Sequence, residues 1–433
     1  MNTNHSNVLI IGCGPAGAAA AAMLAKAGLT VKVLEAHSHP RHHIGESLLP
    51  QSMPILQSIG LDRAFMQAHH QPKYGARFFD PTTNHTETFA FASYEKGDAP
   101  PTFQVIRSIF DRQMRDAALA AGANILENTA VTEVREMENP VAVETADGRQ
   151  FTADFLLDAT GASGLLARRM GTRVMLPDFG RIAIYNYFDK LPAALELEHL
   201  HITMHLIEDG WIWCIPLRDG STNIGAVLTQ KGVRKNLNPQ QQFYAAVAQS
   251  PNLQHRIVRS KPLAAWRVIA DYSYRCTRKT GPRFAMIGDA GGFLDPIFSS
   301  GVHLALTSAQ LAAAAVLQCL KTGDTSGLKN YAGTIDQGLA VFEAFVGRFY
   351  QRDLVRNLFC APRQSATMRA AIIGILSGDV WNRNNPLVEA IRCKMDNASE
   401  AGPISSPELE IGGTRVAESA SLSDPLNQPG RVA

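Results

Sequence analysis

The sequence lacks a charge excess, a cysteine pattern and a long apolar run, and each absence excludes a class of protein. Its 41 Lys and Arg residues against 39 Asp and Glu leave a net charge of +2, which provides no electrostatic basis for nucleic-acid binding. The six cysteines form no C-x-x-C pair and lack the His spacing typical of zinc, so we expect no metal site. The most apolar segments, 16–29 and 302–320, are alanine-rich and interrupted by polar residues, so we expect no membrane-spanning helix.

The start of the sequence also lacks the basic and apolar regions of a signal peptide, so the expected location is the cytoplasm. Charged residues make up 18% of the chain and hydrophobic residues 45%, which is typical of a globular protein and not of a disordered one. Ser, Pro, Gly and Glu dominate residues 397–433 without periodicity, which predicts a flexible tail.

A dinucleotide-binding turn is present near the start. The apolar strand 8–11 runs into Gly12-Cys13-Gly14-Pro15-Ala16-Gly17, which is the G-x-G-x-x-G pattern, and small residues with helical character follow. Glycines at these positions permit a tight turn and a close approach of the backbone to a pyrophosphate. Glu35 ends the next apolar strand, where its carboxylate can accept hydrogen bonds from a ribose diol.

A second segment favours FAD over NAD. The apolar strand 284–287 leads to Gly288-Asp289-Ala290-Gly291-Gly292, whose carboxylate and glycines suit a ribityl chain, and Asp158-Ala159-Thr160-Gly161 ends another buried strand. Together these segments resemble the FAD-dependent monooxygenases with a glutathione-reductase-like FAD domain. No second G-x-G-x-x-G occurs, so reduced flavin is expected from another protein, although single-component hydroxylases use NADPH without such a domain.

Three further segments carry a closer resemblance. Trp211-Ile212-Trp213-Cys214-Ile215-Pro216 looks like the W-x-W-x-I-P signature of flavin-dependent halogenases. The segment 293–301 fits that family's F-x-x-P-x-x-S-x-G pattern, and Gly45-Glu46-Ser47-Leu48-Leu49-Pro50 resembles its flavin-contacting segment. The similarity extends from Val8 to about Lys394 and is closest to the pyrrole- and phenol-type branch. Phe298 stands where tryptophan halogenases carry a glutamate, which disfavours tryptophan as the substrate.

The expected fold is α/β: a glutathione-reductase-like, Rossmann-type FAD-binding domain with an inserted antiparallel β-sheet substrate domain and a C-terminal helical region. The predicted FAD-binding domain is discontinuous and comprises 1–75, 104–175 and 255–325. The substrate domain comprises 76–103 and 176–254, and the helical region comprises 326–396. Within the first part, the pattern of residues 48–59 predicts a helix.

The resemblance implies a role for individual residues. Lys73 matches the catalytic lysine, and burial among apolar neighbours would lower its pKa. The amides of Ser300 and Gly301 would bind halide at a helix start, and Trp211 and Trp213 would keep substrate away from the flavin, although core packing explains that pair equally well. The general base is left open: His303 and Glu46 lie near the motifs, although a lone His at a helix start is more often structural. The residues expected to contact FAD are Gly12, Gly14, Ala16, Gly17, Glu35, Arg41, Glu46, Ser47, Arg107, Asp289, Pro296, Gly301 and Val302.

The implied activity is FADH2-dependent halogenation of an electron-rich ring of the phenol or pyrrole type in secondary-metabolite biosynthesis. O2 and chloride or bromide would be consumed through a flavin C4a-hydroperoxide and hypohalous acid guided by Lys73. Expected partners are a separate flavin reductase, an aromatic small molecule or an acyl-carrier-protein-tethered aryl group, and a second copy of the chain in a homodimer, with no nucleic acid and no membrane. An FAD-dependent aromatic hydroxylase and a non-catalytic flavoprotein are the two alternatives.

Overall fold

The computed structural model describes residues 4–91, 101–176, 179–189, 191, 200–351 and 365–401. The predicted tail, 397–433, lies outside them beyond residue 401, whereas its start, 397–401, is wrong because these residues continue the last helix, Pro386–Ala401. The helices are α1 (Pro15–Lys26), α2 (Met53–Ser58), α3 (Arg63–His69), α4 (Arg107–Ala120), α5 (Leu165–Met170), α6 (Pro239–Val247), α7 (Pro251–Ile257), α8 (Ser300–Thr322), α9 (Ser326–Phe349), α10 (Ala366–Leu376) and α11 (Pro386–Ala401).

The strands of the first half are β1 (His5–Ile11), β2 (Val31–Leu34), β3 (Gln71–Lys73), β4 (Gly75–Asp80), β5 (His85–Ala90), β6 (Thr102–Gln104), β7 (Asn124–Leu126), β8 (Val131–Glu136), β9 (Val141–Thr145) and β10 (Gln150–Asp158). Those of the second half are β11 (Arg173–Met175), β12 (Arg181–Phe188), β13 (His201–Ile207), β14 (Gly210–Pro216), β15 (Thr222–Thr229), β16 (Arg267–Ala270), β17 (Tyr274–Cys276), β18 (Thr280–Gly281), β19 (Phe284–Met286) and β20 (Gly292–Phe293).

A parallel sheet forms the centre of the nucleotide-binding part. Strands β19, β10, β1, β2 and β7 lie side by side and run parallel, with β1 between β10 and β2. Val8, Leu9 and Ile10 of β1 are completely buried because both faces of this sheet are covered, as the continuous apolar run indicates. The expected Rossmann-type βαβ unit of β1, α1 and β2 is confirmed.

A seven-stranded sheet forms the second layer, in the order β16-β12-β15-β14-β13-β4-β5. Its neighbours pair antiparallel except for β13 and β4, which run parallel. Along β14, Trp211 and Trp213 face the main core, whereas Ile212 and Cys214 face a second core beneath α6 and α7. The alternation of a strand therefore directs both tryptophans to one side of the sheet.

The predicted helix over residues 48–59 is wrong at its start. Leu48 lies outside any helix, Leu49 is extended, Pro50–Ser52 form a 3-10 turn, and α2 begins only at Met53. The backbone N–H of Leu48 donates to the carbonyl of Phe103, and its carbonyl accepts from Lys73. These hydrogen bonds to distant residues keep Leu48 out of the helix. They cannot be predicted from the spacing of apolar residues in the sequence.

Helix α8 is long and apolar enough by length and composition to cross a membrane. However, 67% of its most apolar window is buried inside the structure, where the helix packs against α1 and α9. It ends at Gly323 in the left-handed conformation with φ of 75°, as helices of folded cores commonly do. Alanine-rich composition here reflects close helix packing.

Candidate active site

The glycine turn after β1 is built around close backbone contacts. Gly12 has a φ of +99°, and a Cβ there would lie 2.4 Å from the carbonyl oxygen of Ala159. A Cβ on Gly17 would lie 2.0 Å from the oxygen of Gly12. No side chain caps α1 at Gly14, so the first N–H groups of the helix remain free to bind a phosphate. The turn therefore fits the pyrophosphate of FAD.

Glu35 lies beside this turn and is 5% exposed. Its Oε2 accepts the backbone N–H of Cys13 at 2.6 Å, and its Oε1 accepts that of His37 at 3.0 Å. The guanidinium of Arg41 lies 3.7 Å from the same carboxylate. Each carboxylate oxygen keeps a lone pair, so the geometry suits a ribose diol.

Arg107 anchors the segment that resembles the family's flavin contact. Its guanidinium forms a two-point ion pair with Asp111 at 2.7 and 3.0 Å and donates to the carbonyl of Ile44. Asp111 is completely buried and also lies 3.7 Å from Arg41. Held by this ion pair, Arg107 fixes the backbone at Ile44, directly before Gly45, which has a φ of +99°. Asp111 was not identified from the sequence, where it reads only as a polar residue of a helix.

The second FAD segment leads into the start of α8. Burial raises the pKa of Asp289 to about 6, and Arg107 acts against that rise. Ser299 adopts a left-handed conformation with φ of 55°, and no side chain caps α8 behind it. The first-turn N–H groups of α8, which begins with Ser300 and Gly301, therefore have no side-chain acceptor at the cap. The chemistry of this helix start fits an anion such as halide.

Lys73 lies at the end of β3 and is 1% exposed. Its Nζ donates to the carbonyl oxygen of Leu48 at 2.8 Å and lies 5.2 Å from the centre of the Phe91 ring. Burial lowers the pKa of Lys73 to about 7. Near pH 7, Lys73 is therefore a neutral amine in a substantial fraction of the molecules. Its hydrogen bond to Leu48 connects it to the predicted flavin-contacting segment.

Trp213 is connected to that same segment by a chain of side chains. Its Nε1 donates to Oδ1 of Asn223 at 2.9 Å, and Nδ2 of Asn223 donates to Oε2 of Glu46 at 2.6 Å. The other oxygen of Glu46 accepts the hydroxyl of Tyr187 at 3.0 Å. Burial raises the pKa of Glu46 to about 7, although these two hydrogen bonds oppose the rise.

Trp211 is connected in the same manner to the segment 293–301, which contains the predicted FAD contacts Pro296 and Gly301. Its Nε1 donates to the hydroxyl of Tyr350 at 2.8 Å, which in turn donates to Oδ2 of Asp295 at 3.0 Å. Arg181 stacks 3.5 Å above the Tyr350 ring and lies 3.4 Å from Asp295. Trp213 is thus connected by hydrogen bonds to Glu46 in the segment 45–50, and Trp211 to Asp295 in the segment 293–301. Both carboxylates are buried. Asn223, Tyr187, Tyr350 and Arg181 belong to no sequence motif and were missed.

Both ring nitrogens of His303 have partners within the fold. Its Nε2 lies 2.9 Å from the carbonyl oxygen of Gly378, and its Nδ1 lies 3.3 Å from the hydroxyl of Ser52. Burial lowers the pKa of the ring to about 4. Both nitrogens are therefore engaged, and the ring is neutral at physiological pH.

Residues 5–338 match the FAD binding domain family. The 1H-pyrrole-2-carbonyl-[peptidyl-carrier protein] chlorinase of Pseudomonas fluorescens is 31% identical over 413 residues, covering 88% of this chain and 91% of that protein. This chain belongs to the flavin-dependent halogenases. This confirms the resemblance and the fold class predicted from the sequence. It also confirms the prediction of an oxidoreductase that uses FAD and halide.

Other similar proteins support the family and the fold. The tryptophan 2-halogenase of Chondromyces crocatus is 33% identical, covering 82% of this chain and 66% of that protein. A flavoprotein/dehydrogenase from Cytophaga hutchinsonii superposes with a TM-score of 0.82 at 29% identity over 92% of this chain and 98% of that one. The flavin-dependent brominase Bmp2 superposes with a TM-score of 0.79 at 25% identity over 92% and 100% of the two chains. The roles of the individual residues of this halogenase stay predictions.

Proposed function

We propose that this halogenase substitutes chlorine or bromine for hydrogen on a phenol or pyrrole ring, with Lys73 directing the halogen. Reduced flavin comes from a separate reductase, and O2 and halide are consumed. The observation that carries the proposal is the environment of Lys73, an amine that is 1% exposed, has a pKa of about 7 and is bonded to the flavin-contacting segment through Leu48. Few structural lysines are buried without a carboxylate partner.

The chain's own residues divide the work around the cofactor. When bound, FAD supplies the oxidising power that converts halide into hypohalous acid. The open N–H groups of Ser300 and Gly301 hold the halide, and the buried tryptophan pair separates the flavin side from the substrate side. Lys73 then either holds the hypohalous acid by hydrogen bonding or, as a neutral amine, takes its halogen to form an N-haloamine and releases water. The ring takes the halogen and loses a proton; this step regenerates the lysine amine in the second case, and in the first case the released hydroxide accepts that proton to form water.

Phe298 supports a substrate of the phenol or pyrrole type. It is 2% exposed and packs edge-on against Phe345 and Phe349, with ring centres 6.1 and 6.0 Å apart. This position therefore provides no carboxylate to an indole ring. One relative is a chlorinase of a pyrrole-2-carbonyl group on a peptidyl-carrier protein. The first substrate to test is therefore a pyrrole-2-carbonyl thioester, either free or bound to a carrier protein.

The test is mass analysis of products. Purified protein is incubated with FAD, a flavin reductase, NADH, O2 and chloride or bromide, together with a pyrrole-2-carbonyl thioester, a phenol or tryptophan. We expect a halogen isotope pattern on the pyrrole or phenol, and none when halide is omitted.

Two variants complete the design. Lys73→Met should retain FAD and lose the halogenated product, whereas Lys329→Met, on the exposed face of α9, should behave like the parent protein. Gain of a single oxygen by the substrate would identify a hydroxylase instead. Unchanged product formation by Lys73→Met would refute the role of this lysine.

A further inference from the structure

The short ribbon that carries Lys73 also presents other polar side chains on the same face. In the pairing of β3 with β6, Lys73 lies opposite Thr102, and Gln71 lies opposite Gln104. Paired residues of antiparallel strands, and residues two apart on one strand, point to the same side of a sheet. Ser47 lies opposite Gln104 through a further antiparallel bridge. Lys73, Thr102, Gln104 and Ser47 therefore share one face, which we call the lysine face.

The lysine face is buried, yet much of it has no hydrogen-bond partner. Thr102 and Gln104 are 0% exposed and Ser47 is 5% exposed. The hydroxyl oxygens of Thr102 and Ser47, and both Oε1 and Nε2 of Gln104, lack a partner among the described residues. Buried polar side chains in folded proteins are nearly always hydrogen-bonded, so an amide unpaired at both ends needs an explanation.

The amide of Gln104 is the most informative of these groups. A primary amide places an N–H donor and a carbonyl acceptor side by side. A ligand that satisfies both ends must offer an acceptor and a donor on one edge. A pyrrole with a carbonyl group at its second carbon offers this edge, because its ring N–H and carbonyl oxygen point the same way. A simple phenol offers a single hydroxyl group.

We propose that Gln104, with Thr102 beside it, forms a subsite that binds the N–H and carbonyl edge of a 2-acylpyrrole next to Lys73. This inference rests on the proposed function, because it takes the lysine face as the substrate side. Two parallel hydrogen bonds to the amide would orient the ring and leave its remaining carbon positions free to meet the halogen. Gln104 is then a specificity-determining residue.

The test compares two isosteric probes on the FAD-loaded protein. Calorimetry measures the binding of the N-acetylcysteamine thioesters of pyrrole-2-carboxylate and furan-2-carboxylate, since furan lacks the N–H donor. The parent protein should bind the pyrrole about 10–100-fold more tightly, because the furan leaves a buried acceptor unpaired. Gln104→Leu should weaken pyrrole binding by a similar factor and reduce the pyrrole-to-furan ratio to nearly one.

A matched control is Gln242→Leu, which removes a buried glutamine of α6 far along the chain and should preserve the parent's ratio. If Gln104→Leu fails to fold, Gln104→Asn retains the amide one methylene shorter. That variant should bind both probes more weakly while still preferring the pyrrole.

Three results would overturn the proposal. These are an unchanged pyrrole-to-furan ratio in Gln104→Leu, a loss of FAD affinity without any change in probe binding, and an absence of pyrrole binding by the parent protein at millimolar concentration. Failure of the proposed function can be distinguished from failure of the subsite proposal. If the proposed function is wrong, no ring yields a halogenated product. The pyrrole-to-furan binding ratio tests the subsite independently of product formation.

Discussion

Replacing Lys73 with methionine should stabilise the protein at neutral and lower pH, and this gain should disappear or reverse as the pH rises towards 10. Methionine fills nearly the same volume and needs no hydration. In the folded protein, burial lowers the pKa of Lys73 from 10.5 to about 7. Between these two values the unfolded chain binds the proton more strongly, so the stability of the parent protein rises as the pH increases from 7 to 10.5.

The magnitude follows from the difference between the two pKa values. At about 1.36 kcal/mol per pKa unit, burying protonated Lys73 costs about 5 kcal/mol of folding free energy at pH 6. The cost falls to about 2 kcal/mol at pH 9 and to about 1 kcal/mol at pH 10. Loss of the hydrogen bond to Leu48 subtracts about 1–3 kcal/mol at every pH. The advantage of Lys73→Met should therefore shrink by about 4 kcal/mol between pH 6 and pH 10.

Urea unfolding followed by tryptophan fluorescence measures this difference. The parent protein, Lys73→Met and the exposed control Lys329→Met are compared at fixed FAD concentration over the same pH range. The control should track the parent throughout. A stability difference between Lys73→Met and the parent that varies by less than about 1 kcal/mol from pH 6 to pH 10 would refute the assigned burial and pKa of Lys73.

Three further changes test other parts of the site. Tyr350→Phe removes the hydroxyl between Trp211 and Asp295, so the free energy of unfolding should fall by about 2 kcal/mol; FAD should still bind, less product should form per reduced flavin, and unchanged coupling would argue against the connection. Gly17→Ala places a Cβ 2.0 Å from a backbone oxygen, so the protein should purify without its yellow cofactor, and retained flavin absorbance would contradict the tight turn. Glu46 ionises as the pH rises through about 7, so the fluorescence of the tryptophans should change there in the parent protein and not in Glu46→Gln; a transition that persists in the variant has another origin.

Local features of the chain were predictable from the sequence. The β1–α1–β2 unit is specified by neighbouring residues, because an apolar strand, a glycine turn and a helix of small residues follow one another directly. Cys13 and Glu35 meet for the same reason, since parallel strands end at one edge of the sheet. That Trp211 and Trp213 lie on the same side of the sheet followed from strand alternation alone.

Contacts between distant parts of the chain were not predictable in this way. Trp211 and Tyr350 are 139 positions apart, and Glu46 and Asn223 are 177 positions apart. No local sequence pattern marks Tyr350 or Asn223 as a partner, because a tyrosine at the end of a helix and an asparagine on a strand occur in any fold. The hydrogen bonds of Leu48 likewise overrode a helical pattern that its own neighbours support. The predicted domain bounds and site roles stay predictions.

The most direct measurement is the fate of the halogen in Lys73→Met. The variant, supplied with FAD, reductase, NADH and chloride, is assayed for the halogenated ring and, with a chemical trap in solution, for free hypohalous acid. Direction of the halogen by Lys73 predicts that trapped hypohalous acid continues to form while the ring product disappears. Ring halogenation at the rate of the parent protein would contradict this account.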